Sequence, residues 1–566
     1  MATDCEVKAS ADGLTVKLYR GEGACLLAFD LAKEKATRAF VGFTIEVRYP
    51  GSPRWGALRN RLHFELPPEP GRPRSYRSTE APFQKFRWVH VPTDVSRPGK
   101  FGYRVSARYM DAAGVLGTGA SVEAEISLQP ETIAGVLDVA FTRGFASSQA
   151  YADRFRNETG ILPPVGAPAA ASLAHDMTPF REHYDWLGFE VRRLVYRLLD
   201  DVAADPALTL DALIYECKEP MILARLEAIG PRLRAVIDDH DEQGEPDSAE
   251  SVSAARLVAA GAAVKRMHFG RQQHNKVLVV RRRGVAVRAL GGSTNFSLRG
   301  LYIQANNALL FEGGAAAAKF AELFDAYWTS PSTFRRKALS QTWHAVRDEP
   351  GSRIALSFSP KSDAAVSLDP VAEAIEEAHG SVLYSVVFLN QITGRVRDAL
   401  DELVQRSLFS YGVAQRTSGL AVRKPDGSTG LLPFAYLAED APEPFRREWS
   451  GNTEGHSNMV HHKFVVVDFN GERPVVFTGS SNMAEGGEKS NGDHLIRIED
   501  RRVAIAYAIE ALKLFDHFHF RVKTKEPGAA DQLRLRKPPA PGQKPWFAAY
   551  YRNGHVKERD RKLFAA

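Results

Sequence analysis

A histidine, a lysine, a serine and an asparagine occur twice in this chain, in the same order and at the same spacing. The first set is His274, Lys276, Ser293 and Asn295, and the second is His461, Lys463, Ser480 and Asn482, each 187 positions beyond its counterpart. Gly292 and Glu312 recur at the same offset as Gly479 and Glu499. The shared pattern is H-x-K followed, sixteen residues after the lysine, by G-S-x-N. Residues two apart on a strand share a face, so each histidine and its lysine point the same way. Such a set suits a phosphodiester. The charge on its phosphoryl oxygens calls for cationic and amide donors, which Lys276, Lys463, Asn295 and Asn482 supply, with Ser293 and Ser480 beside them as phosphate-binding residues. The poor alkoxide leaving group calls for a nucleophile and an acid, and histidine serves in both roles near neutral pH. One imidazole can attack phosphorus to give a phosphohistidine while the other protonates the departing oxygen and then activates water.

The elements around these residues must bring the two sets together. KVLVV (276–280) and KFVVVDF (463–469) read as strands, and the glycine before each serine permits a tight turn at a strand end. From about residue 130 strands alternate with helical patterns, twice over. TLDALIYEC (209–217) precedes the helical PMILARLEAIGPRLRAVI (220–237) and then VKRMHF (264–269). RIALSFSP precedes the helical LDPVAEAIEEAHG, the strand SVLYSVVFL (381–389) and the helical TGRVRDALDELVQRSL. This predicts α/β architecture in two units, 131–348 and 349–530. Residues 1–130 carry short alternating apolar runs between Gly/Pro-rich turns and predict an all-β, immunoglobulin-like sandwich with an accessory role. The acidic stretch 238–251 reads as a mobile loop. Residues 417–458 read as a loop, either a substrate wall or lid or an insertion without a role. The tail, 531–566, interleaves basic residues with Trp546, Tyr550 and Tyr551. That mixture suits nucleic-acid stacking or a membrane interface, and docking of the aromatics on the body of the protein is the simpler alternative.

At 566 residues the chain requires several cores, and 44% apolar with 25% charged residues is an ordinary globular balance. A net charge of +6 and a pI of about 9.0 are compatible with anionic substrates without selecting among them. Cys5, Cys25 and Cys217 show neither metal spacing nor a disulfide framework, which predicts a reducing, cytoplasmic setting and no metal. The N-terminus lacks the charge and apolar pattern of a signal peptide. No apolar run reaches the roughly 18 residues of a membrane span, so any membrane contact is expected to be peripheral. No cofactor is expected, and the oligomeric state is left open.

Residues 461–468, His-His-Lys-Phe-Val-Val-Val-Asp, fit H-x-K-x4-D, and with G-S-x-N the chain resembles the phospholipase D superfamily over about residues 131–530. The resemblance implies two α/β units sharing one active site and metal-independent phosphodiester hydrolysis or transfer through phosphohistidine. The residues it implies as catalytic are His274, Lys276, His461, Lys463, Asp468 and Asp493. Family members carry an acid thirteen residues after the G-S-x-N serine that orients a histidine; the position is Asp493 in the second half and Asn306 in the first. The first half also has Arg281 where the signature aspartate would stand. By strand periodicity Asp468 falls on the face opposite His461, which points to a scaffold role. The family pattern makes His274 the nucleophile, while Asp493, in the half that carries His461, leaves the reverse assignment open. Asn306→Asp is expected to be tolerated or to raise turnover. Glu312 and Glu499 read as strand-end salt bridges, His462 as structural, and Arg281-Arg282-Arg283 as a solvated cluster or a phosphate contact. The substrate is expected to be a phospholipid, hydrolysed or used for phosphatidyl transfer. The alternatives are a nuclease acting on DNA or RNA and a catalytically degenerate phosphate-binding scaffold.

Overall fold

In the strand Leu14–Gly21, Leu14, Val16 and Leu18 are buried while Thr15 and Lys17 are half-buried, the alternation of a sheet with one face on a core. The computed structural model describes the chain except residues 1–4, 66–74, 96, 129–130, 145–146, 165–166, 391, 415–423, 425–430, 434–459, 526–533 and 566. The chain divides into two compact units, Met1–Pro130 with His519–Ala566, and Glu131–Phe518.

The first unit holds two four-stranded antiparallel sheets. One runs Glu6–Ala11, Leu14–Gly21, Ala24–Leu31, Arg87–His90, and the other runs Leu116–Ser127, Lys100–Met110, Phe40–Arg48, Gly56–Ala57. Their inward side chains, among them Val16, Phe29, Phe43, Val105 and Ile126, form one core. Each such side chain contributes roughly 1.5–3 kcal/mol on burial. The C-terminal aromatics belong to this unit. Trp546 donates to Phe40 O (3.0 Å), Tyr551 donates to Leu31 O (2.6 Å), and Phe547 is buried in the core. Cys5, Cys25 and Cys217 are buried and form no disulfide with one another.

The second unit is built on two mixed sheets whose strands follow one order. The seven-stranded sheet runs Leu137–Phe141, Asn307–Glu312, Val285–Gly292, Lys276–Arg282, Leu208–Ile214, Leu233–Ile237, Ala263–Arg266. The eight-stranded sheet adds His344–Glu349 at its edge and continues Ser352–Phe358, His494–Asp500, Val475–Gly479, Lys463–Val467, Ser381–Val386, Phe409–Ala414, Leu431–Pro433. In both, the H-x-K strand pairs antiparallel with the strand that leads into G-S-x-N. Helices such as Arg181–Ala204 and Gly314–Thr329 accompany these sheets. Among the described residues no helix is long and apolar enough to cross a membrane.

Four expectations need correction. The helix expected over 220–237 ends at Ile229, and Leu233–Ile237 is a strand. The break falls at Gly230, whose φ of +57° and following Pro231 stop the helix before the apolar run can continue it. The stretch 238–251 is ordered: a short 3-10 turn, Asp241–Gly244, leads to Ser248, which caps the helix Ala249–Ala259 by accepting from Ser251 N (3.1 Å). Arg281 contacts no phosphate site. It donates to the buried Asp211 (2.6 Å) and to Asp325 (2.9 Å), and Arg234 holds the same two carboxylates. Asp468 accepts the backbone N–H groups of His379, Gly380 and Ser381 at 2.6–2.9 Å, closing the far end of its strand. Five residues of strand, about 16 Å at 3.3 Å each, separate it from Lys463. The expected substrate wall or lid over 417–458 falls almost wholly outside the described residues.

Candidate active site

Backbone pairing sets the histidines first. Gln273 bridges Gly492 in parallel and Val460 bridges Ala305, with His274 N donating to Gly492 O (2.8 Å) and His461 N to Ala305 O (2.9 Å). Each H-x-K entry is thus bonded to the other half of the unit, just before the position thirteen residues past its serine. Asp238, which follows the strand Leu233–Ile237, accepts from Gln273 N (2.5 Å) and fixes the residue preceding His274. Burial pushes the Asp238 carboxyl up to about 7.

The turn after each second strand requires glycine. Gly292 and Gly479 have φ of +139° and +146°, and a Cβ there would lie 2.6 Å from Asn307 O and 2.3 Å from His494 O. Side chains therefore begin at Ser293 and Ser480. Ser293 Oγ donates to Asn306 Oδ1 (2.8 Å) and accepts from Asn307 N (3.0 Å). Ser480 Oγ donates to Asp493 Oδ1 (2.6 Å) and accepts from His494 N (3.0 Å).

The imidazole contacts cross between the halves. His274 Nδ1 donates to Asp493 Oδ1 (2.8 Å), whereas His461 Nδ1 lies 3.0 Å from Asn306 Oδ1 and 3.1 Å from Ser293 O. Ser293 O can only accept, so His461 Nδ1 carries the proton and Nε2 keeps its lone pair. Asp493 likewise fixes the Nδ1–H tautomer of His274. The carboxylate of the second half thus serves the histidine of the first, which removes the reason for reversing their roles. Lys276 Nζ donates to His274 O, and Lys463 Nζ donates to His461 O (2.9 Å).

Both histidines and both lysines are at most 6% exposed. Burial, with Lys276 next, pulls His274 down to about 4 against the opposing pull of Asp493. Burial, then Lys463, Lys276 and His274, holds His461 well below its ordinary value. Burial also lowers Lys276 to about 7 and Lys463 well below the lysine range, the latter with Lys276 as its next cause. Asp493 stays below its ordinary value because His274 and Lys276 outweigh its burial. Two neutral imidazoles and two amines under mutual repulsion make a site that an anion relieves.

The buried Oδ1 atoms of Asn295 and Asn482 have no hydrogen-bond partner, so neither amide is tied down by its oxygen. Among the described residues no group of three or more His, Cys, Asp or Glu is disposed to hold a metal ion.

Sequence reasoning missed Tyr215 and Glu216. The Tyr215 ring lies 4.9 Å from His274 and under Lys276 Nζ at 4.5 Å. Glu216 would be raised by burial, but Lys218, Ser297, Arg299 and Lys276 together hold it below its ordinary value. Their signal was the end of the strand TLDALI, which pairs Ile214 with Lys276. Elsewhere, His462 bonds Glu510 (3.2 Å) on the face away from His461, and Glu499 pairs with Arg497 (2.7 Å).

Residues 218–328 match the family model "Cardiolipin synthase, PLD-like domain". No curated protein matches the chain in sequence. Similar solved structures include phosphatidylserine synthase from Haemophilus influenzae Rd KW20, at 13% identity and a TM-score of 0.41 over 60% of this chain and 89% of that one. Polyphosphate kinase from Porphyromonas gingivalis is similar at 12% identity and a TM-score of 0.40, over 85% of this chain and 73% of that one. Nuc from Salmonella typhimurium, a phospholipase D family member, is similar at 22% identity and a TM-score of 0.20, over 24% of this chain and 86% of that one. The match over 218–328 takes in His274, Lys276 and the first G-S-x-N, so that segment is similar to a phospholipase D-like domain.

Proposed function

We propose that residues 131–348 and 349–530 are two pseudo-symmetric units sharing one active site, preceded by an immunoglobulin-like accessory domain, and that the site is a metal-independent phosphodiesterase working through phosphohistidine. The observation that carries the reading is the crossed pairing of His274 with Asp493 and of His461 with Asn306. The His274 Nε2 lone pair attacks phosphorus, the bond from phosphorus to the leaving oxygen breaks, and His461 Nε2–H gives that oxygen its proton. The phosphorylated imidazole is cationic, and Asp493 is the group that stabilises it. His461, beside an amide, gains no such support for its cation, so it is the stronger acid. Bound phosphate charges it by opposing the repulsion that keeps the free imidazole neutral. In the second step a water oxygen attacks phosphorus, His461 takes the water proton, and the P–N bond breaks. With an alcohol in place of water the same step is a transfer. Lys276, Lys463, Asn295 and Asn482 hold the phosphoryl oxygens, with Ser293 and Ser480 fixing the groups behind the imidazoles.

The substrate is a phospholipid, hydrolysed or used for phosphatidyl transfer at a membrane surface by a cytoplasmic, peripherally bound enzyme. The cardiolipin-synthase description of the matching family model supports this. So does Glu216, whose negative charge in the field of Lys276 and Lys463 suits a leaving group with ammonium or hydroxyl functions better than one with a further phosphate. The test is product analysis by mass spectrometry. Wild type and His461→Ala are incubated in EDTA with mixed phospholipid vesicles and with a DNA/RNA oligonucleotide pool. Phosphatidic acid or exchanged lipid from wild type alone supports the reading. Cleaved oligonucleotide with intact lipid replaces it with a nuclease, and no product from either replaces it with a phosphate-binding scaffold.

A further inference from the structure

Within the unit formed by Met1–Pro130 and His519–Ala566, a cleft of about 290 Å³ brings four cations onto an aromatic lining. The cations are Lys85, Arg534, Arg536 and Lys557, and the rings are Trp88, Trp546 and Tyr550. The rings are fixed from behind and half-buried. Trp88 lies on Phe83 with centroids 4.1 Å apart, Tyr550 lies on Phe86 at 4.6 Å, and Trp546 is pinned through its N–H to Phe40 O. The tail segment carrying Arg536 is clamped by Gln84, which accepts from Arg536 N (2.9 Å) and donates to Arg536 O (2.7 Å). Lys557 Nζ sits over the Tyr550 ring at 5.2 Å. None of the described residues lining the cleft is acidic. Among the described residues, nearby carboxylates include Glu65, which pairs with Lys537 at 2.8 Å and lies in the field of Arg534, and Asp560, which faces Lys557. Partial burial and then Arg536 hold the Lys557 ammonium below its ordinary value, Lys85 adds to this, and Asp560 opposes it without reversing it. Grouped cations that repel one another are relieved by an anion. Ring faces beside cations add stacking for a planar group and charge-assisted bonds for a phosphate.

We propose that this cleft is a binding site for a phosphate-bearing planar ring, a nucleotide, taken either free or as part of a single strand. A phosphate without a ring would use the cations and leave the aromatic lining unused, and a neutral ring would leave the repulsion between Arg536 and Lys557 in place. The cleft is small enough to select one nucleotide at a time.

Calorimetric titration of the full chain decides it, with AMP, inorganic phosphate and a short oligo-dT as probes. Wild type is expected to bind AMP at least about tenfold more tightly than phosphate. Arg536→Glu combined with Lys557→Glu should weaken AMP at least about tenfold while leaving phosphodiester turnover unchanged. Trp88→Leu should weaken AMP and leave phosphate alone. Oligo-dT binding tighter than AMP, with a steep salt dependence, assigns the site to a strand, and the reverse order assigns it to a free nucleotide; both support the proposal. It is overturned if neither probe binds, if binding survives the charge variant, or if phosphoinositide vesicles bind where nucleotides do not. Circular dichroism checks folding, and if Trp88→Leu fails to fold, the charge variant, built from exposed side chains, decides alone.

Discussion

Asn306→Asp adds to the first half the acid that it lacks, and by family pattern alone the change should be harmless or helpful. The contacts argue the reverse. Aspartate keeps the two bonds that Asn306 Oδ1 accepts, from Ser293 Oγ (2.8 Å) and His461 Nδ1 (3.0 Å). It loses the two that Nδ2 donates, to Gly300 O (2.9 Å) and Gln304 Oε1 (3.3 Å). Gly300 O can only accept, so a carboxylate oxygen would face a carbonyl oxygen with no proton between them. Two lost bonds cost about 0.5–1.5 kcal/mol each, and the buried acceptors left facing one another cost about 1–3 kcal/mol more. A loss of roughly 2–6 kcal/mol in stability follows from that sum. If the new carboxyl takes up a proton to satisfy Gly300 O, it is neutral and does nothing for His461. If it stays ionised, it raises His461, and each unit of that rise weakens the acid by up to about 1.4 kcal/mol, or tenfold in rate. Urea unfolding should therefore show a destabilised variant. Turnover should fall most for substrates with poor leaving groups and least for activated aryl esters, which need no acid. A variant as stable as wild type and equally fast on a poor leaving group would refute the assignment of His461 as the acid.

Arg281→Asp, which restores the signature residue, should destabilise by about 3–5 kcal/mol, because it leaves the buried Asp211 short of a cation and sets a third carboxylate beside it and the half-exposed Asp325; urea unfolding measures this, and kcat of the folded fraction should not change. Asp468→Ala removes the acceptor of three exposed or part-buried backbone N–H groups at about 0.5–1.5 kcal/mol each and should likewise lower stability rather than kcat, with a fall in kcat alone marking a chemical role. His274 and His494 are buried neutral, held near 4 and near 3. Between those values and about 6.5 the unfolded chain binds protons that the folded chain does not, so Tm should fall as pH drops from 6.5 towards 4; a flat Tm across that window contradicts the burial of both imidazoles.

The alternation of strand and helix patterns made the α/β sheets legible, and the repeat at a fixed offset picked out the candidate residues, because a histidine and lysine two apart on a strand share a face. The N-terminal strands were legible for the same reason, in alternation such as Leu14, Val16, Leu18. What stayed hidden was long-range. Nothing in the spacing of Asp493 says that it bonds a histidine 219 residues away rather than the one in its own half. Arg281 looked like a defect until its partners Asp211 and Asp325, distant in sequence, appeared beside it. The strand Leu233–Ile237 was absorbed into a helix because a short apolar run carries no period of its own. Asp238, assigned to a mobile loop by its acidic neighbours, is buried behind His274 and holds the preceding backbone N–H.

The central claim is that phosphorus is carried by His274 while His461 moves protons. An aryl phosphodiester with a good leaving group separates the two roles, since it can phosphorylate the enzyme without an acid but cannot leave it without a base. His461→Ala mixed with such a substrate, quenched in alkali and mapped by peptide mass spectrometry, should hold the phosphoryl adduct on His274, and His274→Ala should hold none. An adduct on His461 in the His274→Ala protein, or none in either variant while wild type turns over, would contradict the account.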